Sequence, residues 1–226
     1  MKKLLFWMVL IVGIVALIGS CAKKDEETAA TAAADNTTST DNTTSTTKYI
    51  STTTTASGSI TMGDDTLSGV YASECLTSAS TIAFFKATGF WASEVNAYGQ
   101  VFVVTGSDNI SIELYAFTDT SCSNLSQSQK TVSDNVTVGS ASGSNYPVTY
   151  NNQTQALTVH TTAAETALET LYSNALDFIV GTRIELPVSG SGLRYGLWTL
   201  SGTTWYEASS SSATPTSAGT VPHVKQ

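Results

Sequence analysis

Positive charge and histidine are what this chain has least of. Lys and Arg number 10 of 226 residues, against 18 Asp and Glu, and there are two histidines; the formal net charge is −8. So few cations exclude the basic stripe that nucleic-acid binding requires. They also exclude retention on anionic lipid by charge. The one basic pair past the extreme N-terminus, Lys23-Lys24, runs straight into Asp25-Glu26-Glu27 and reads as the start of a solvated spacer. Neither His160 nor His223 stands near a cysteine at ligand spacing, so a metal site is not expected. A Gly-rich phosphate loop and a G-x-S-x-G elbow are both missing. The acid pair Asp64-Asp65 sits at a domain edge, and His160 lies alone in an alternating run. No residue set assembles nucleophile, base and orienting group, so catalysis and bound cofactors are not expected.

Cysteine is scarce too, at three residues, and their positions are informative. Lys2-Lys3, the apolar run Leu4 to Ile18, and Gly19-Ser20-Cys21 have the three-part form of a secretory signal peptide. The run is shorter than the roughly 20 residues that span a bilayer. Leu17-Ile18-Gly19-Ser20-Cys21 resembles a bacterial lipobox. That resemblance implies cleavage before Cys21, diacylglycerol on its thiol, and a fatty acyl group such as palmitate on its new amine. Two or more chains give stable anchoring. Residue 22 is Ala, not the aspartate that retains such proteins at the inner membrane in some bacteria, so the outer membrane is expected. Cys75 and Cys122 then remain. In an oxidising compartment an even remainder reads as one disulfide; two free thiols or two metal ligands are the alternatives.

Four regions follow. Residues 1–20 are the signal peptide. Residues 21–58 are Thr-, Ser- and Ala-rich, with the imperfect repeat "DNTTSTDNTTSTT" from Asp35 to Thr47. This stretch buries too little apolar area to offset its ordering entropy and reads as a disordered tether. Residues 59–207 are long enough for one core. Residues 208–226 read as a flexible tail.

Within 59–207 the signal is β. Ile110, Ile112, Leu114 and Ala116 alternate with Ser111, Glu113, Tyr115 and Phe117, a period of two. Val101 to Val104 precedes them across Gly106-Ser107-Asp108-Asn109, a hairpin signal. Further strands are expected at residues 69–73, 129–133, 135–138, 147–150, 156–161, 179–188, 195–200 and 204–207. One helix is expected after Thr162, with Glu165 completing a capping box. Many short strands and one helix indicate an antiparallel barrel, or alternatively a β-sandwich.

Three stretches carry a resemblance. They are Leu67 to Cys75 ("LSGVYASEC"), Tyr115 to Cys122 ("YAFTDTSC") and Tyr195 to Tyr206 ("YGLWTLSGTTWY"). Together they resemble bacterial lipoproteins with a lipocalin-like β-barrel, over about Leu67 to Tyr206. Tyr71 replaces the usual Trp of the opening strand, and Thr204-Trp205-Tyr206 replaces a Leu-Tyr end. The resemblance implies a disulfide from the opening strand to the Cys122 turn and an apolar cavity. It also implies an arginine, Arg194 rather than Arg183, stacked over the Tyr71 ring.

The aromatic cluster Phe84, Phe85, Phe90 and Trp91 lies where a barrel-mouth loop is expected. It either meets a small apolar ligand or fills the barrel's own core. The leading expectation is a membrane-anchored, non-catalytic barrel that takes a small apolar ligand or an envelope protein. The alternative is a surface-exposed structural or adhesive module.

Overall fold

The computed structural model describes residues 48–188 and 191–226. The expected signal peptide, Cys21 and most of the expected tether lie outside them. The described residues form β1 (Ile60–Met62), β2 (Asp65–Leu67), β3 (Val70–Ala72), α1 (Ala79–Ala87), β4 (Ala97–Val104), β5 (Ile110–Phe117), β6 (Leu125–Val138), β7 (Asn145–Val159), α2 (Thr162–Leu171), β8 (Arg183–Leu186), β9 (Leu193–Ser201), β10 (Thr204–Ser210) and β11 (His223–Lys225).

Strands β3, β4, β5, β6, β7, β9, β10 and β11 each pair antiparallel with the next, and β11 returns to β3. This is a closed up-and-down barrel, not a sandwich. β8 is an addition: it pairs with the second half of β7, while β9 takes the first half. The period-two reading of β5 holds. Ile110 and Ile112, then Leu114 and Ala116, join the two interior clusters, while Tyr115 and Phe117 pack outside. The hairpin at 106–109 closes with the Thr105 amide donating to the Asn109 carbonyl at 3.0 Å. The strands expected at 129–133 and 135–138 are one bent strand, because Asn135 at φ 53° sits where the β6–β7 register shifts, as at a bulge.

Each barrel end is plugged. At the hairpin end, β1 and β2 fold over the opening, and Ile60, Met62 and Leu67 pack on Phe102, Val104, Ile110, Val136 and Tyr146. At the helix end, α1 and α2 pack with Trp91, Tyr98, Leu157, Val159 and Phe178. The described residues hold two helices where one is expected. The Thr161 hydroxyl, one residue before the expected cap, accepts from the Ala164 amide at 3.1 Å. A Cys75–Cys122 disulfide, with Cα atoms 5.8 Å apart, ties the end of β3 to the β5–β6 turn. No described helix is long and apolar enough to cross a membrane.

Three expectations need correction. The tether expected to run to Gly58 ends sooner, because residues 48–57 form a strap down the outside of β3–β5. Ile50 is buried with Ala72, Val101, Val103 and Phe117, and its amide donates to the Ser73 carbonyl at 3.2 Å. The flexible tail expected from 208 is part of the barrel. β10 runs on to Ser210, and β11, with a fully buried His223, closes the ring. Both errors share a cause: Thr- and Ser-rich composition hides a few apolar or inward residues that a finished sheet can anchor. The third correction concerns Tyr71. Register sets Lys225 opposite it, and Lys225 Nζ lies 6.0 Å from the ring centroid. Arg183 instead pairs with Glu185 at 2.6 Å, and Arg194 lies opposite Tyr150 across β7–β9.

Candidate functional site

The four aromatics expected at a barrel mouth lie on and after α1. Phe85, Phe90 and Trp91 are buried in the helix-end cluster. Ring centroids are 4.3 Å apart for Phe85–Trp91 and 5.4 Å for Trp91–Tyr98. These three close the barrel as core. Only Phe84 faces outward, 39% exposed. α1 turns one side inward through Ile82 and Phe85, three residues apart, and this spacing leaves Phe84 on the other side.

The better site lies between the two plugs, and sequence reading missed most of it. Trp198 on β9, Trp205 on β10 and His223 on β11 are fully buried neighbours. Their centroids stand 4.9 Å apart for Trp198–Trp205 and 6.5 Å for Trp205–His223. Trp205 also meets the edges of Phe102 and Tyr71 at 4.5 and 5.6 Å. Gly196 makes room for this arrangement, since a Cβ there would lie 3.0 Å from Trp198 Nε1 and 2.5 Å from Val148 Cγ2. Glu207 lies opposite Trp198 in the β9–β10 register.

Four polar atoms of this cluster are sealed from solvent without a hydrogen-bond partner: Trp198 Nε1, Trp205 Nε1, His223 Nδ1 and Glu207 Oε1. His223 Nε2 lies 3.2 Å from Gln100 Oε1. Burial holds His223 down to about 4, a neutral imidazole. Burial pushes the Glu207 carboxyl up to about 7, against the opposing effect of Ser209 and Tyr150 beside it. Burial raises the Tyr150 hydroxyl as well, reinforced by Glu207. Leaving a buried donor or acceptor unpaired costs about 1–3 kcal/mol each, and native interiors hold few such atoms. Four in one aromatic cluster call for a partner.

Gln100, Ile112, Leu114, Gln129 and Glu207 face inward by register and are only partly buried. The chemistry this cluster offers is recognition: two indole N–H donors, an imidazole, a carboxyl near neutrality and aromatic walls.

Elsewhere, polar groups serve structure. Glu113, on the outer face of β5, accepts from the hydroxyls of Thr52 and Tyr115 at 2.5 Å each, and from Thr54. Lys130 Nζ stands 3.5 Å away. Burial would raise the Glu113 carboxyl, but these partners outweigh it and hold it below its ordinary value. His160 Nε2 lies 3.3 Å from Ser128 Oγ, and no carboxylate among the described residues bonds its other nitrogen to orient it. The described residues contain no group of three or more metal-ligating side chains. No protein-family model matches the chain, and no curated protein is significantly similar to it.

Proposed function

We propose that this protein is a non-catalytic binding barrel of the bacterial cell envelope, anchored by lipid on Cys21, that takes a small ligand into its interior. The observation that supports the binding role is the set of four buried, unpartnered polar atoms on β9, β10 and β11. A ligand with a flat apolar body and two or three oxygen or nitrogen atoms suits them better than a purely apolar one, which would leave every one unpaired. Aromatic walls supply area, and the indole N–H groups and Glu207 supply orientation. The lipobox-like sequence ending in Cys21 supports the anchor.

Native mass spectrometry of the mature protein, extracted from its own cells in mild detergent, tests the binding. The expected spectrum shows a bound mass of a few hundred daltons in excess of the acylated polypeptide, a size that suits pockets of about 300–1,000 Å³. Trp198→Phe with Trp205→Phe should lose it while the barrel still folds. A spectrum of acylated polypeptide alone, in every preparation, rejects the binding reading. The anchor is tested separately: Cys21→Ser should release the protein from membranes, and unchanged retention would reject lipidation there.

A further inference from the structure

The described residues leave three large apolar side chains exposed: Phe84 at 39%, Ile179 at 53% and Val180 at 44%. All three belong to the helix end. Phe84 lies on α1, and Ile179 and Val180 follow Phe178, which is buried in the same cluster as Phe85. α1 and α2 meet there, where Gly89 faces Leu171 Cδ1. The loop carrying Ile179 and Val180 is held, with the Gly181 amide donating to the Val159 carbonyl at 2.8 Å. Scattered exposed apolar residues need no explanation, whereas a concentration on one end does.

The chain's course adds a second fact. The strap starts at this same end. Lys48 Nζ donates to the Ser121 and Cys122 carbonyls at 3.1 and 2.9 Å, in the turn that carries the disulfide. From there the strap descends until the Ser57 amide reaches the Val104 carbonyl near the hairpin end. Residues 22–47 alone separate Lys48 from the cysteine read as the lipid site. The chain therefore leaves the barrel for its anchor from the end that bears the apolar residues.

We infer that the helix end is a membrane-docking face, and that Phe84, Ile179 and Val180 enter the lipid surface to which the chain is tethered. This rests on the lipid-anchor reading. Exposed aromatic and aliphatic side chains at one end of a folded body supply an interfacial contact. The tether raises their effective concentration at the bilayer, so modest intrinsic affinity suffices. The hold is apolar and not electrostatic, because the chain is acidic. The barrel then stands upright, with its hairpin end away from the membrane.

The test uses the mature chain with Cys21→Ser, so that vesicle binding reports the face and not the anchor. Phe84→Trp is added as a fluorescent probe. With zwitterionic phosphatidylcholine vesicles, brominated acyl chains should quench the emission that this substitution adds, and higher salt should not release the protein. Replacing Phe84, Ile179 and Val180 by Ser should weaken partition about tenfold or more. Val180→Asp alone should weaken it in the same direction, and far-UV circular dichroism should match the parent for both variants. Partition unaffected by these substitutions, or no quenching at saturating lipid, overturns the inference. So does self-association of the chain that the serine triple variant abolishes without any vesicle binding, since the face then serves a second copy. Acylation at residue 21, read by mass spectrometry on the wild type, separates failure of the anchor reading from failure of the docking face.

Discussion

Glu113 shows how one carboxylate on an outer face can hold a segment that has almost no apolar content. Its oxygens take hydroxyls from Thr52, Thr54, Ser111 and Tyr115, and Lys130 bonds both Glu113 and Thr54. Glu113→Gln should cost roughly 1–3 kcal/mol, because the charge-assisted bonds go and buried hydroxyls lose an acceptor. Urea unfolding measures this, and a loss below about 0.5 kcal/mol would show the network to be incidental. Inside the barrel, Glu207 and His223 titrate against each other. Glu207, raised to about 7, contributes stability that is complete below its unfolded value near 4.5 and fades as pH rises through 7. His223, lowered to about 4, contributes stability present above its unfolded value near 6.5 and lost as pH falls through 4. Between about pH 5 and pH 6.5 the two slopes oppose, so their sum is nearly flat. Glu207→Gln removes one of them. Stability of that variant should then rise with pH across this window, by up to about 1.4 kcal/mol per unit. Urea midpoints taken across the window decide it, and a variant as flat as the parent would show that Glu207 does not titrate there.

The strap is the element whose role depends most on a single fit. A Cβ on Gly99 would overlap Ile50 Cγ1 and stand 2.8 Å from Ile50 Cδ1, so β4 carries a hole that Ile50 fills. Gly99→Ala should push Ile50 out and free residues 48–57 while the barrel stays folded. Limited proteolysis should then cut within the strap at a rate well above the parent's. Adding Ile50→Ala should restore much of the protection, and a double variant as sensitive as the single one would reject the knob-in-hole account. The same element marks where sequence reading stopped. The strands β3, β4, β5, β9 and β10 were legible, because alternation along Ile110 to Phe117 or a Gly-Ser-Asp-Asn turn is a local signal, whereas β7, read as strands at 147–150 and 156–161, is one strand, Asn145–Val159. The disulfide was legible as one reading of two leftover cysteines in a chain expected to be exported. The strap was not, because Ser51 to Ser57 reads as coil until a finished sheet offers Glu113 and the Gly99 hole. α1 was not, because Ile82 and Phe85 alone mark its buried side. Trp205 and Glu207 share an inward parity along β10 that the sequence does display. Their neighbour His223, however, comes from a segment that composition marks as tail, so the polar cluster has no local signature.

At the scale of the molecule the barrel has one weak seam. β4 and β5 pair along eight residues, Ala97↔Phe117 through Val104↔Ile110, whereas β11 touches β3 through Val224↔Ala72 and Lys225↔Tyr71 alone. On its other side β11 meets β10 through Thr204↔Val224 and Trp205↔His223. Circular closure thus depends on the short strand His223–Lys225. Those residues also complete the candidate site. His223 packs on Phe102 at 4.7 Å and bonds Gln100, and Lys225 Nζ lies over Tyr71 and bonds the Ser68 hydroxyl at 3.1 Å. Removing residues 223–226 should open the ring between β3 and β10, leave two unpaired edges and admit water to Trp205. The disulfide and the strap lie on the far side of β3 from this seam and do not cross it. Unfolding of the truncated chain should therefore begin at lower urea. Its tryptophan emission should shift to the red before the far-UV signal falls, as local opening precedes loss of the remaining strands. Hydrogen exchange should localise the change, with amides of β3 and β10 losing protection and those of β5 and β6 keeping it. Truncation that leaves the unfolding midpoint and the β3 amides unchanged would show that the eight-stranded ring is not what stabilises the domain.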